Sequence, residues 1–177
     1  MATIASGIAG IDSAHKDSAT VCADGRRLHE PIDGVSVRRA VTHADERGTL
    51  TEILDDRWGF TDDPIVYVYH VTIRPGQLRG WVVHRVQNDR LFAYAGALKI
   101  VLYDGRLDSS TYGRINVFHI GRHDPSLISI PAGVYHAVQN VGADEAAFVN
   151  LPSEPYLHED PDKYRLPREN DVIPYQL

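Results

Sequence analysis

The chain is poor in several things, and each shortage closes off a class of function. Cysteine occurs once among 177 residues, at Cys22. A lone thiol cannot close an internal disulfide, so nothing points to an oxidising compartment. No stretch approaches the roughly 20 apolar residues of a membrane-spanning helix. Positive charge is scarce: 18 Lys and Arg stand against 24 Asp and Glu, a formal net charge of −6. An acidic balance argues against a general affinity for nucleic acid, which needs a basic face. Met1 to Gly10 lacks a basic n-region and Asp12 cuts the apolar run short, so it does not read as a signal peptide. Cytoplasmic location, with neither nucleic acid nor membrane as partner, is the expectation.

What is present is a β pattern. Residues 1–33 are rich in Ala, Ser, Gly and Asp without sustained period, and read as a loose N-terminal arm. Over residues 34–151, short runs rich in Val, Ile, Tyr and Phe alternate with Gly, Pro and Asp clusters. Val35–Ala40, Thr49–Leu54, Ile65–Ile73, Gly80–His84, Leu91–Tyr94, Leu98–Tyr103, Ile115–Ile120, Leu127–Ile130, Val134–Val138 and Ala146–Leu151 read as strands. One short helix fits near Asp55–Gly59. Many short strands at regular spacing predict an all-β sandwich or barrel. Residues 152–177 hold five of the ten prolines and read as an extended segment packing on the barrel.

Alternation sorts side chains by face. It places His84 with Val82 and Gly80, His136 with Val134 and Val138, and Glu52 with Leu50 and Leu54. Each is a titratable group on an apolar face, where it must find a partner or change its pKa. Together they suggest a shared pocket. Tyr67 and Tyr69 share a face and either line that pocket or form an outer aromatic ladder.

Pro131-Ala132-Gly133-Val134-Tyr135-His136-Ala137-Val138-Gln139-Asn140 fits the second cupin motif, P-x-G-x-x-H-x-x-x-N. The first motif is incomplete: His84 stands at its second histidine and Val82 at its first. Asp89 is a further ligand type nearby. Two firm ligands are too few for a tight centre, so no metal and no cofactor are expected.

Four stretches carry a family resemblance: Asp45-Glu46-Arg47-Gly48-Thr49-Leu50-Thr51-Glu52, Gln77-Leu78-Arg79-Gly80-Trp81, Tyr103 through Gly113, and Ile130 through His136. Together they resemble the dTDP-4-dehydrorhamnose 3,5-epimerase cupins. The resemblance implies a jelly-roll barrel (a double-stranded β-helix), a homodimer, and a thymidine-diphosphate sugar at the barrel mouth. It implies that Arg47 and Arg79 hold the nucleotide or diphosphate, and that Glu52 and His136 belong to the site. In the family, a histidine removes the proton next to a ketone, a lysine region steadies the enolate, and a tyrosine returns a proton. Here those places fall at Val82, near Arg90 and near Val149. The aspartate that orients the histidine falls near Asn170, beside Asp171. The places that hold the sugar nucleotide carry Tyr67 and Tyr69.

The sequence therefore predicts an epimerase-like or isomerase-like cupin with a non-standard catalytic set. His84 is the candidate base, with Tyr67, Tyr69 or Tyr135 as acid. Arg47, Glu52, Tyr69, Arg79, Arg90 and His136 are the candidate binding residues. Two alternatives share the fold: a non-catalytic sugar-nucleotide binder, and a cupin recruited for isomerisation or cyclisation of another small molecule.

Overall fold

The apolar alternation resolves into strands that pair almost wholly with distant partners. The computed structural model describes residues 8–17, 19–24 and 31–177. The parts of the expected N-terminal arm at 1–7, 18 and 25–30 lie outside the described residues. Residues 1–30 and Pro31–Leu177 form separate compact units. In the first, Ile11–Ser13 makes a single 3-10 turn.

The second unit carries β1 (Ser36–Arg39), β2 (Thr42–Asp45), β3 (Gly48–Thr51), β4 (Tyr69–Ile73), β5 (Leu78–Val83) and β6 (Asp89–Ala95). It continues with β7 (Ala97–Asp104), β8 (Ile115–Gly121), β9 (Ser126–Ile130), β10 (Val134–Asn140), β11 (Ala146–Asn150) and β12 (Tyr164–Arg165). A 3-10 turn at Asp56–Trp58 fills the expected helix position, its first turn capped by the Asp55 side chain. Five strands form one antiparallel sheet in the order β1-β9-β6-β11-β4, and five form the other in the order β12-β5-β10-β7-β8. This is the all-β architecture that the strand spacing predicts, in the jelly-roll form that the family resemblance implies.

Period two in these strands makes three apolar layers. Inward residues from both sheets form the main core, among them Leu91, Ile100, Leu102, Ile128, Val134 and Phe148. On the outer face of the second sheet, Trp81, Val101 and Ala137 pack with Ile173 and Tyr175 of the C-terminal segment. On the outer face of the first, Phe92, Leu127 and Leu151 pack under Ile53, Leu54 and Phe60. The C-terminal segment thus lies over one sheet as a covering layer. Its strand β12 also extends that sheet, pairing Tyr164 with Val83.

One irregularity positions the site. Along the β5–β10 ladder His136 faces Val82 but Val138 faces Arg79, so β5 carries an extra residue. Val82 and Arg79 both share the inner side with the β10 residues they face, and Trp81 turns outward. Gly80 permits this, because a Cβ there would stand 2.4 Å from the Ala137 Cβ. The expected strand at Ile65–Ile73 begins only at Tyr69. Residues 65–68 form no ladder and leave Ile65, Val66 and Val68 about half exposed.

Candidate functional site

Asp89 begins β6 with its side chain inward and only 2% exposed. A carboxylate so placed has to be partnered. Its Oδ1 accepts from Gln87 Nε2 at 2.7 Å and from Asn150 Nδ2 at 2.9 Å. Its Oδ2 stands 3.2 Å from His84 Nε2 and 3.3 Å from His136 Nε2. Burial pushes the carboxyl up. The His84 hydrogen bond and the two imidazoles pull it down further, to well below the usual carboxylate range.

The two histidines differ. Burial presses His84 down, but its bond to Asp89 and the nearby Asp162 carbonyl together leave it raised. Its Nδ1–H donates to the Asp162 carbonyl. Both ring nitrogens are therefore engaged. Burial dominates at His136 and lowers it to about 4, so it is neutral at neutral pH. Its Nδ1 lies 3.5 Å from the Val134 carbonyl. The two rings stack with centroids 5.6 Å apart. The Asp162 carboxylate accepts from the backbone N–H groups of Arg85, Val86 and Gln87 at 2.8–2.9 Å, pinning the C-terminal segment onto the turn after β5.

Beside this cluster opens a cavity of about 370 Å³. Tyr67, Tyr69, His84, Tyr156, Lys163 and Tyr164 line it. Tyr69 stands opposite Asn150 in the β4–β11 ladder, and Asn150 Nδ2 donates to its hydroxyl at 2.7 Å. Because the amide is the donor, the hydroxyl keeps its own proton to give. Burial, with the Asp89 charge behind it, pushes that hydroxyl up to about 12. Burial and then Arg165 pull the Lys163 ammonium below the usual lysine range.

Of the residues singled out from the sequence, His84 and His136 meet at Asp89. Tyr67 and Tyr69 share the cavity wall, with ring centroids 5.4 Å apart. Arg79 is exposed on β5 opposite Val138 and is not among the residues that line the cavity.

Four of the expected site residues lie away from the cavity within one copy of the chain. Tyr135 precedes inward His136 on β10 and so faces outward, against Tyr103. Arg90 follows inward Asp89 and faces outward too, where its guanidinium donates to the carbonyls of Leu151, Asp63, Pro64 and Pro152. It staples the loop that leads into Tyr67 and Tyr69, spending four of its five N–H donors there, on the side of the sheet away from the cavity. Arg47 is exposed on the β2–β3 turn, ion-paired with Asp45. Glu52 is exposed just beyond β3, and its supposed neighbour Leu50 is 63% exposed, so that face is not the core. Neither Arg47 nor Glu52 lines the cavity.

The family's other catalytic places also resolve. Val82 faces inward opposite His136. Val149 faces outward, leaving Asn150 as the inward residue there. Asn170 caps a turn in the C-terminal segment by accepting from the N–H groups of Val172 and Ile173. Gln87, Asn150, Asp162 and Lys163 belong to the site without standing out in the sequence reading. Alternation back from Leu91 signals an inward Asp89, and alternation from Phe148 an inward Asn150. No local signal marks Asp162 or Lys163, because only the docked C-terminal segment brings them to the site.

Residues 43–164 match the family model described as the polysaccharide biosynthesis C-terminal domain. A probable low-salt glycan biosynthesis epimerase of Haloferax volcanii, Agl13, is 36% identical over 138 residues, covering 77% of this chain and 88% of the relative. The spore coat polysaccharide biosynthesis protein SpsL of Bacillus subtilis is 30% identical over 142 residues, covering 80% and 93%. Among solved structures, a dTDP sugar isomerase from Desulfovibrio desulfuricans shares the fold with a TM-score of 0.75 at 24% identity, over 82% of this chain and 91% of the other. The 3'-monoepimerase ChmJ from Streptomyces bikiniensis, solved with dTDP-quinovose, aligns with a TM-score of 0.68 at 25% identity, over 76% and 70%.

Proposed function

The chain belongs to the polysaccharide biosynthesis C-terminal domain family and to the epimerase-like cupins, and from that premise we propose that it epimerises or isomerises a nucleotide-activated keto sugar. The observation that carries this reading is one cavity lined by both the Tyr69 hydroxyl, whose oxygen accepts from Asn150, and the Lys163 side chain.

Proton exchange next to a ketone needs a base, an acid and support for the enolate. Lys163, drawn down by burial, is the base: its neutral amine takes the proton, and the C–H electron pair moves into the enolate. Tyr69 is the acid, returning a proton to carbon while Asn150 holds its oxygen. This places the acid on β4, away from the outward Val149. His84 has no nitrogen left for the substrate and serves instead to fix Asp89 and the C-terminal segment. Tyr67, Tyr156 and Tyr164 offer aromatic faces to a sugar or nucleobase. Arg79, exposed on β5, suits a diphosphate, since its planar fork meets phosphate oxygens in pairs. Arg47 and Glu52 contribute only if a second copy of the chain presents them, which keeps a homodimer within the proposal.

Calorimetric titration with dTDP and with UDP tests the ligand class. The reading expects one of them to bind with a dissociation constant of about a millimolar or tighter, and binding to fall in Arg79→Ala. Failure of both nucleotides to bind removes the nucleotide-sugar substrate.

A further inference from the structure

We propose that Gln87 selects the sugar: its side-chain carbonyl accepts a hydrogen bond from one hydroxyl of the bound sugar, and a sugar without a donor at that position is rejected. The proposal rests on the nucleotide-sugar reading above and names a specificity-determining contact within it. Gln87 lines the cavity and is only 8% exposed. Its partners fix which way the amide points. Nε2 stands 2.7 Å from Asp89 Oδ1, and an ionised carboxylate can only accept. Nε2 also faces His84 Nε2 at 3.5 Å. Both neighbours lie on the nitrogen side, so Oε1 points away from them. Among the described residues none donates to Oε1. The sealed side-chain atoms without a partner are Trp81 Nε1 and Gln139 Oε1, so the Gln87 oxygen is not shut into the interior. It opens on the cavity with its lone pairs unused.

The acceptor is held in place before any ligand arrives. The Gln87 backbone N–H donates to Asp162 Oδ2 at 2.9 Å, and the next N–H, of Asn88, donates to Ser153 Oγ at 2.9 Å. Asn88 Oδ1 accepts from the Ala132 N–H at 2.9 Å. With the backbone tied at these points and the amide nitrogen tied to Asp89, little side-chain freedom is left to lose on binding. The oxygen is also placed near the proposed acid. Gln87 and Asn150 donate to the same Asp89 oxygen, and Asn150 donates to the Tyr69 hydroxyl. Three hydrogen bonds therefore separate Gln87 from Tyr69, a span of the order of one pyranose ring with its substituents. Tyr69 faces the reacting carbon while Gln87 meets a hydroxyl elsewhere on the same ring.

The chemistry of the contact is one-sided. An amide oxygen accepts and never donates. A ring hydroxyl satisfies it. A ketone oxygen or a deoxygenated carbon in the same place leaves it buried without a partner, which a hydrogen-bonding site rejects strongly. The ketone of the substrate therefore lies away from Gln87, and the carbon beside Gln87 keeps its hydroxyl. Gln87 is the one amide side chain on the cavity wall among the described residues.

The test is calorimetric titration of the full chain with dTDP-glucose and its 2-, 3-, 4- and 6-deoxy derivatives, or with the uridine series if UDP is the nucleotide that binds. In the wild type, one deoxy compound should bind about tenfold or more weakly than the parent. In Gln87→Met that same compound should bind as well as the parent, because the oxygen that read the hydroxyl is gone. Gln87→Asn, which draws the oxygen back by one methylene, should also lose the discrimination. Each readout is a ratio of two ligands on one protein, so a general loosening of the site, which weakens all sugars alike, does not imitate it. Equal binding of all four deoxy compounds to the wild type overturns the proposal without needing a variant. A selective loss that persists in both Gln87 variants assigns the hydroxyl to another residue and overturns it too. In either case the nucleotide sugar still binds, so the nucleotide-sugar reading stands. Failure of both nucleotide series to bind the wild type removes that reading and the Gln87 contact with it.

Discussion

Asn150 and Tyr69 are cross-strand partners, and the asparagine amide donates to the tyrosine hydroxyl at 2.7 Å while also holding Asp89 at 2.9 Å. One side chain thus joins the proton-bearing hydroxyl to the buried carboxylate. Tyr69→Phe removes the acid and keeps the ring, so substrate turnover should fall by about 10²–10⁴-fold with little change in melting temperature. Asn150→Ala should lower both, because it also leaves part of the Asp89 carboxylate unpaired. Paired turnover and thermal-unfolding measurements separate the two.

Lys163 sets the expected pH dependence. The amine is the active form, so the rate should rise with pH through the Lys163 pKa. Burial lowers that pKa, so the rise should come below the usual lysine range. Lys163→Met should abolish the limb, and Lys163→Arg should lose activity with the charge retained. A pH–rate profile of kcat checks this.

The folded pattern shows where local reading succeeds. His136 was legible because the turn Pro131-Ala132-Gly133 precedes an alternating strand with Val134 and Val138 inward. The same alternation rules out Tyr135 as an inward residue. Arg90 reads as a binding residue only while the strand is taken to start at the apolar run from Leu91, whereas β6 begins two residues earlier, at Asp89. Starting the strand there puts the carboxylate inside and the guanidinium outside. The bulge in β5 was not legible, since it depends on the close approach of Gly80 to Ala137 across the ladder. Lys163 and Asp162 reach the site through contacts some 75 residues away in sequence, which no periodicity encodes.

Arg90 is a structural staple. Arg90→Met should cost at least about 1–3 kcal/mol by leaving buried carbonyls without their donor. A binding role at the cavity predicts the opposite: weaker ligand affinity at unchanged stability. Denaturant unfolding beside calorimetry decides between them.

Asp104 supports the loop that follows β7. It is fully buried and accepts from Arg106, Ser109 and Thr111. Burial raises its pKa, but the Arg106, Ser109 and Thr111 bonds depress it well below the ordinary range. The folded pKa lies below the unfolded one. Its contribution is therefore present above the ordinary carboxylate range and lost as pH falls through the folded value. Asp104→Asn should destabilise by about 1.5–3 kcal/mol at neutral pH and flatten the loss of stability on acidification, as read by unfolding at stepped pH.

Proton exchange in D₂O tests the central claim most directly. A dTDP-4-keto-6-deoxy sugar incubated with the protein should gain deuterium at a carbon next to the ketone, by NMR. The rate should fall more than about a hundredfold in Tyr69→Phe and in Lys163→Met. A sugar nucleotide that binds wild-type protein yet stays free of deuterium would contradict the account.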